Sequence, residues 1–253
     1  LKRSAPAARR NLEPIRQQLS RLLEGRRGDL LELASGTGEH AVGIAPALPE
    51  LNWHPTDPDP RQRASIDAHR QAGGAPNVRP ARDLDAAADW PPDLPVPLTA
   101  IFCANLIHIS PPEVTEGIFR NAGRHLAAAG LLILYGPFAH DGVLEGEGNI
   151  AFDAQLRARD PAWGIRDLAD LAAMAERVGL EWVESIAMPA NNEINVWKVW
   201  KVWKVSQVWK GEGGDHDATG REGTSRRRGD RRTGGDAGGR REVGRRQGLQ
   251  PGL

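Results

Sequence analysis

Leu30-Leu31-Glu32-Leu33-Ala34-Ser35-Gly36-Thr37-Gly38-Glu39-His40-Ala41 is an apolar run broken by one acid, then a Gly-x-Gly turn, then a helix-like segment. That is the strand–loop–helix opening of a nucleotide-binding α/β unit, where glycines let the backbone turn sharply and approach a ligand closely. Two glycines alone also fit a plain tight turn. A second acid strengthens the ligand reading. Asp57 follows the segment Leu51-Asn52-Trp53-His54-Pro55-Thr56, about 20 residues on, where a carboxylate takes ribose hydroxyls at the tip of the next strand.

Charge at the loop bears on which nucleotide fits. A dinucleotide site sets its pyrophosphate on a helix N-terminus, where free N–H groups and the dipole favour negative charge. Here Glu39 lies in that first turn and Glu32 just below the loop, so a phosphate would meet carboxylates. S-adenosylmethionine carries an ammonium, a sulfonium and a ribose, all compatible with acids. Ala41 satisfies the lenient Gly-x-Gly-x-x-Gly/Ala form, which keeps a dinucleotide-dependent oxidoreductase as the alternative.

Working outward, residues 1–10 are polar and basic and read as an N-terminal arm. Residues 11–24 carry Ile15, Leu19, Leu22 and Leu23 at helical spacing, with Pro14 tolerable in a first turn. Strands are expected at 30–34, 51–56, 77–82, 98–104 and 131–135, with helices at 40–48, 61–71 and 113–129 between them. Alternation of this kind means a parallel sheet with helices on both faces. After Tyr135 a Gly-rich loop runs to Gly148 over the carboxyl edge of the sheet, where α/β ligands bind. Helices at 151–158 and 168–178 follow. A strand at 180–187, a turn at Met188-Pro189-Ala190-Asn191-Asn192 and a last strand from Ile194 suggest an antiparallel edge, with residues 193–198 as the edge strand.

Five segments in this order carry a resemblance: Ala34-Ser35-Gly36-Thr37-Gly38-Glu39-His40, Thr56-Asp57-Pro58-Asp59, Asn105-Leu106-Ile107-His108-Ile109-Ser110, Tyr135-Gly136-Pro137-Phe138 and Met188-Pro189-Ala190-Asn191-Asn192. From about Ser4 to Val196 the chain resembles a family of class I S-adenosylmethionine-dependent methyltransferase-like proteins of unknown function, the relatives of methyltransferase-like protein 26. The resemblance implies an α/β fold with a seven-stranded, mostly parallel methyltransferase (Rossmann-like) sheet and S-adenosylmethionine as cofactor. It implies no established substrate, and a non-catalytic S-adenosylmethionine-binding protein stands as a further alternative. Carried over by position, Glu32, Gly36, Thr37 and Gly38 match the cofactor loop and Asp57 the ribose acid. Asp85 matches the carboxylate at the adenine amino group, with Asp83 its close competitor. Asn105 stands at the end of the fourth expected strand, where methyltransferases put acceptor-side polar groups.

Methyl transfer asks little of side chains, since alignment of donor and acceptor supplies much of the acceleration, up to ~7–11 kcal/mol. A protonated oxygen or nitrogen acceptor needs a general base, and the candidates are His108, Asp153 and Tyr135. Asn149, Phe152, Asp153, Arg157, Trp163, Gly164 and Arg166 bring polar and aromatic groups to a lid that suits a small-molecule acceptor. The competing reading is a solvated loop with a structural Arg–Asp pair. The histidines are scattered, so no metal is expected.

Composition limits the rest. Ten arginines and seven acids fall in residues 211–253, leaving 23 basic and 26 acidic residues in 1–210. That mildly acidic part has no nucleic-acid signature. The lone Cys103 excludes a disulfide framework. No apolar run approaches the ~18 residues of a membrane span and no signal peptide is legible, so a cytoplasmic protein is expected. The domain is expected to span 11–198. From 199 a Val-Trp-Lys repeat of period three gives way to Gly, Arg and Asp, a composition that cannot repay the entropy of folding. An Arg/Gly-rich nucleic-acid-binding tail is the competing reading of that end.

Overall fold

The structure, a computed structural model, describes residues 1–200. The chain runs α1 (Pro6–Leu22), β1 (Gly28–Leu33), α2 (Glu39–Ile44), β2 (Leu51–Pro55), α3 (Pro60–Ala72), β3 (Leu98–Ala104), α4 (Pro112–His125) and β4 (Leu126–Gly136). A short hairpin of β5 (Ala139–His140) and β6 (Val143–Leu144) follows, then α5 (Gly146–Arg159), α6 (Leu168–Arg177), β7 (Leu180–Met188) and β8 (Asn192–Val199). One sheet holds the order β2-β1-β3-β4-β8-β7. The first four strands pair in parallel, and β8 is antiparallel to both β4 and β7.

Both faces of the parallel strands are covered, which is why they read as continuous apolar runs. On one face Leu30, Phe102, Ile133 and Trp53 pack against Ile15 and Leu19 of α1 and Ala41 and Ile44 of α2. On the other, Leu31, Leu33, Ile101 and Leu132 meet Ile118 and Phe119 of α4 and Leu171 of α6. Phe119 stands edge-on to Trp197 at 5.3 Å, a preferred aromatic geometry. Local signals set the helix starts. Asp59 Oδ1 accepts the Arg61 N–H at 2.8 Å and Asp167 Oδ1 the Ala169 N–H at 2.8 Å, capping α3 and α6.

Four expectations need correction. The sheet has six strands, because the segment at 77–82 makes only isolated bridges, Trp53 to Val78 and Thr56 to Arg82. Trp53 bonds both Asn77 O and Arg79 N, but Pro55 has no N–H to extend that ladder, and past Pro80 the next bond comes from Arg82 N, one residue out of register. The last strand, β8, is interior and the edge belongs to β7. Val196 and Trp197 of β8 are both buried, on opposite faces, whereas β7 exposes Glu181, Trp182 and Val183. The first helix starts at Pro6, not Asn11, so Pro14 is an interior proline. That costs about 3 kcal/mol, which burial of Ile15 and Leu19, at about 1.5–3 kcal/mol each, offsets. The helix before β4 ends at His125, four residues early, as the chain re-enters the sheet at Leu126 opposite Leu98.

Trp200 N reaches Gly179 O. The rest of the expected repeat and Gly/Arg-rich tail, 201–253, lies outside the described residues. Among those described, no helix is long and apolar enough to cross a membrane.

Candidate functional site: a glycine loop at the carboxyl ends of β1 and β2

Past the end of β1 the backbone turns through Ala34 (φ 47°), Gly36 (φ 56°) and Gly38 (φ 90°). The loop is tied to the neighbouring strand tip on both sides: Ser35 N donates to Thr56 O at 2.8 Å and Thr56 N to Glu32 O at 2.9 Å. A side chain at Gly38 would place its Cβ 2.7 Å from Ile66 Cα of α3, so helix packing as well as backbone conformation demands glycine there.

Two carboxyls meet at this turn. Glu32 is buried, its Oε2 accepts the Trp53 Nε1–H at 2.8 Å, and burial pushes its carboxyl up to about 7. Asp57 is 6% exposed. Its Oδ2 accepts the Gly36 N–H at 3.0 Å and its Oδ1 the Asp59 N–H at 2.9 Å, while burial pushes it up to about 6. Glu39, whose place in the first helical turn argues against a phosphate there, accepts from Ala5 N at 2.7 Å, Ser4 Oγ at 2.9 Å and Thr37 Oγ1 at 2.9 Å.

One strand over, Asn105 takes a left-handed conformation (φ 62°) and its N–H donates to Tyr135 O at 2.8 Å. A Cβ on Gly136 would lie 2.4 Å from His108 Nε2 and 3.3 Å from Asn105 Oδ1, so the ends of β3 and β4 bring these three residues together. His108 is wholly buried, edge-on to Phe138 at 5.4 Å, and neither ring nitrogen has a hydrogen-bond partner. Burial holds its imidazole down to about 3, so it is neutral at ordinary pH. Tyr135 lies on the opposite face, buried beside Asn11 and Arg10 of α1, and burial raises its phenol.

The remaining residues singled out from the sequence find their hydrogen-bond partners outside residues 34–38. Asp85 is exposed and accepts the N–H of Ala87 at 2.9 Å, and Asp83 pairs with Arg63 at 3.2 Å. Asp153 Oδ2 accepts from Arg157 Nε and its Oδ1 from the Ile165 N–H, both at 2.7 Å. Arg166 donates to Ile107 O, Ser110 O and Ala162 O, and Gly164 N to His108 O. These bonds pack the lid segment onto the turn that carries His108. Asn149 Nδ2 reaches Asn191 O at 2.9 Å, and His140 Nε2 meets Glu193 Oε1 at 2.6 Å, anchoring α5 and the β5–β6 hairpin to the end of the sheet.

Sequence reasoning missed Asn11, whose Oδ1 meets His40 Nε2 at 2.8 Å above the loop, and Ser65, which donates to Thr37 O at 2.9 Å. Neither sits in a motif; only the fold brings them near. A recess of about 480 Å³ lined by Ser20, Leu23, Gly25 and Leu48 shares no residue with this cluster.

A mostly parallel sheet that ends in an antiparallel strand pair, with a glycine loop at its carboxyl edge, is the fold this chain shares with solved methyltransferases. The chain belongs to the DUF938 family of proteins of unknown function, whose profile matches residues 2–199. Among solved structures it is similar to an O-methyltransferase family protein from Burkholderia thailandensis, at 15% identity and TM-score 0.62 over 76% of this chain and 57% of that one. It is similar to the mitomycin 7-O-methyltransferase, at 14% identity and TM-score 0.60 over 78% of this chain and 58% of that one. A methyltransferase of calicheamicin biosynthesis in its S-adenosylhomocysteine-bound form matches at 16% identity and TM-score 0.57, over 71% and 51%. The chain thus spans between 51% and 58% of the length of these three proteins, and the likeness is one of fold.

Proposed function

We propose that the protein is an S-adenosylmethionine-dependent methyltransferase acting on a small-molecule acceptor. The observation that carries this is the Asp57 carboxylate seated on the Gly36 N–H. A dinucleotide's pyrophosphate needs the loop N–H groups for itself; here one already serves a carboxylate, and the site favours hydroxyls and cations. Glu32 adds a second acid beneath the loop.

The residues fit that cofactor. Asp57 would hold the ribose diol, the turn 36–38 would admit the ligand's close approach, and Asp85 would take the adenine amino group. Asn105 would border the transfer site. Bound there, S-adenosylmethionine supplies an activated methyl group. The chain's own task is to align an acceptor at the ends of β3 and β4 and to receive its proton. Of the three base candidates, His108 is neutral, wholly buried and has both ring nitrogens unpartnered beside Gly136 and Asn105. Asp153 has both oxygens taken by Arg157 and Ile165 and holds the lid segment. Tyr135 is buried beside α1 with its phenol raised, so it stays protonated and is the weakest base candidate of the three.

Thermal shift tests the reading. S-adenosylhomocysteine at about 100 times its Kd should add about 2.7 kcal/mol of stability, and NAD should add nothing. Stabilisation by NAD or NADP alone would replace the methyltransferase with an oxidoreductase.

A further inference from the structure

We propose that residues 3–5, leading into α1, form a strap that clamps the 36–38 loop and must release it for the cofactor to exchange; this rests on the loop being the cofactor site. Two relays join strap to loop. In the first, Arg3 N donates to Ser65 Oγ at 2.8 Å, and the same hydroxyl donates to Thr37 O at 2.9 Å. In the second, Ala5 N and Ser4 Oγ donate to the Glu39 carboxylate, which also takes the Thr37 hydroxyl at 2.9 Å. Both relays end on Thr37, the residue between the two glycines. A third bond joins His69 Nε2 to Arg3 O at 2.8 Å.

The manner of attachment makes this a strap. Leu1 is fully exposed, Lys2 and Ser4 are exposed, and none of residues 1–5 enters the core. Hydrogen bonds hold the segment without buried apolar area, and such segments open at low free energy while the core stays folded. At Pro6 the chain becomes helical, and Ile15 and Leu19 anchor that helix in the core. Release therefore ends where α1 begins. Glu39 is a positioning residue in this scheme: its acid engages the strap and Thr37, and holds the loop's shape through them. Burial raises its carboxyl, but the bonds from Ala5, Ser4 and Thr37 and the nearby His69 together bring it below its ordinary value, so the clamp is ionised at neutral pH.

The test compares the full chain with Glu39→Ala, Ser65→Ala, the pair together, and a chain lacking residues 1–5. Hydrogen exchange of the 36–40 amides is read without ligand, and S-adenosylhomocysteine dissociation by stopped flow. Glu39→Ala should speed dissociation about tenfold, as loss of charge-assisted bonds implies, and accelerate exchange in the loop but not in β3 or α4. Glu39→Gln, which keeps one acceptor, should restore part of the effect. Once residues 1–5 are gone, Glu39→Ala should add less than it does in the full chain, because the Ala5 and Ser4 bonds are already lost and only the Thr37 hydroxyl and the Arg9 pair remain to break. Unaltered loop exchange and dissociation in the shortened chain would overturn the strap. If the unaltered chain binds no S-adenosylhomocysteine while the variants still loosen the loop, the cofactor reading and the exchange role fall and the clamp stands.

Discussion

Gly38→Ala is expected to destabilise the protein by about 2–4 kcal/mol. Crowding accounts for about 1–3 kcal/mol of this, because the new Cβ would sit 2.7 Å from Ile66 Cα, backbone that cannot swing aside. The conformation adds about 1 kcal/mol, since φ 90° suits glycine and strains an L side chain. At about 2–4 °C per kcal/mol for a chain of this size, the melting temperature should fall by roughly 5–15 °C. Gly36→Ala is the control. Its Cβ would meet only Ala34 O at 4.0 Å, so it carries the conformational cost alone. Melting curves that rank the two variants equally would mean that α3 does not press on the loop as described.

Asp57→Ala should weaken S-adenosylhomocysteine tenfold to a hundredfold, the ~1.5–3 kcal/mol of a hydrogen bond to a charged group. Wild-type affinity in that variant would move the ribose assignment to Asp59. Binding should also depend on pH with a fixed sign. Burial raises the Asp57 carboxyl to about 6 and that of Glu32 to about 7 in the free protein. A carboxyl raised on folding favours the folded state while protonated. Its contribution is full below the unfolded values of 3.8 and 4.5 and is lost as pH rises through about 6 and 7. Ribose hydroxyls donate to the ionised form. Below pH 6 binding must therefore expel a proton, and affinity at pH 5 should be about tenfold below that at pH 8. Calorimetric titration at the two pH values, repeated with Asp57→Ala, should show the slope vanish with the carboxylate.

The strand–loop–helix opening was legible because its requirements are local: glycine where φ is positive, an acid within the strand, a second acid at the next strand's tip. Glu32, Gly36 and Asp57 do converge, to within hydrogen-bond reach of one another's elements. The missing strand at 77–82 turned on Pro55 and Pro80, which break a ladder that an apolar pattern alone would continue. The end of β8 misled for a different reason. A period of three in Val196-Trp197-Lys198-Val199 conflicts with a one-faced strand, but a strand between β4 and β7 buries both faces, and the rule of two does not apply. The strap was illegible because Ala5 and Glu39 are 34 residues apart and Arg3 and Ser65 are 62 apart. Ser, Glu and a backbone N–H carry no signal of partnership at that distance.

The account stands or falls on what occupies the turn between β1 and β2, and a crystal structure with S-adenosylhomocysteine tests that most directly. The ribose hydroxyls should lie about 2.5–2.7 Å from the Asp57 carboxylate, a charge-assisted distance, with the ligand's backbone side against residues 36–38 and its sulfur directed toward Asn105. Ligand bound elsewhere, or a ribose that leaves Asp57 on Gly36 and Asp59 alone, would contradict it.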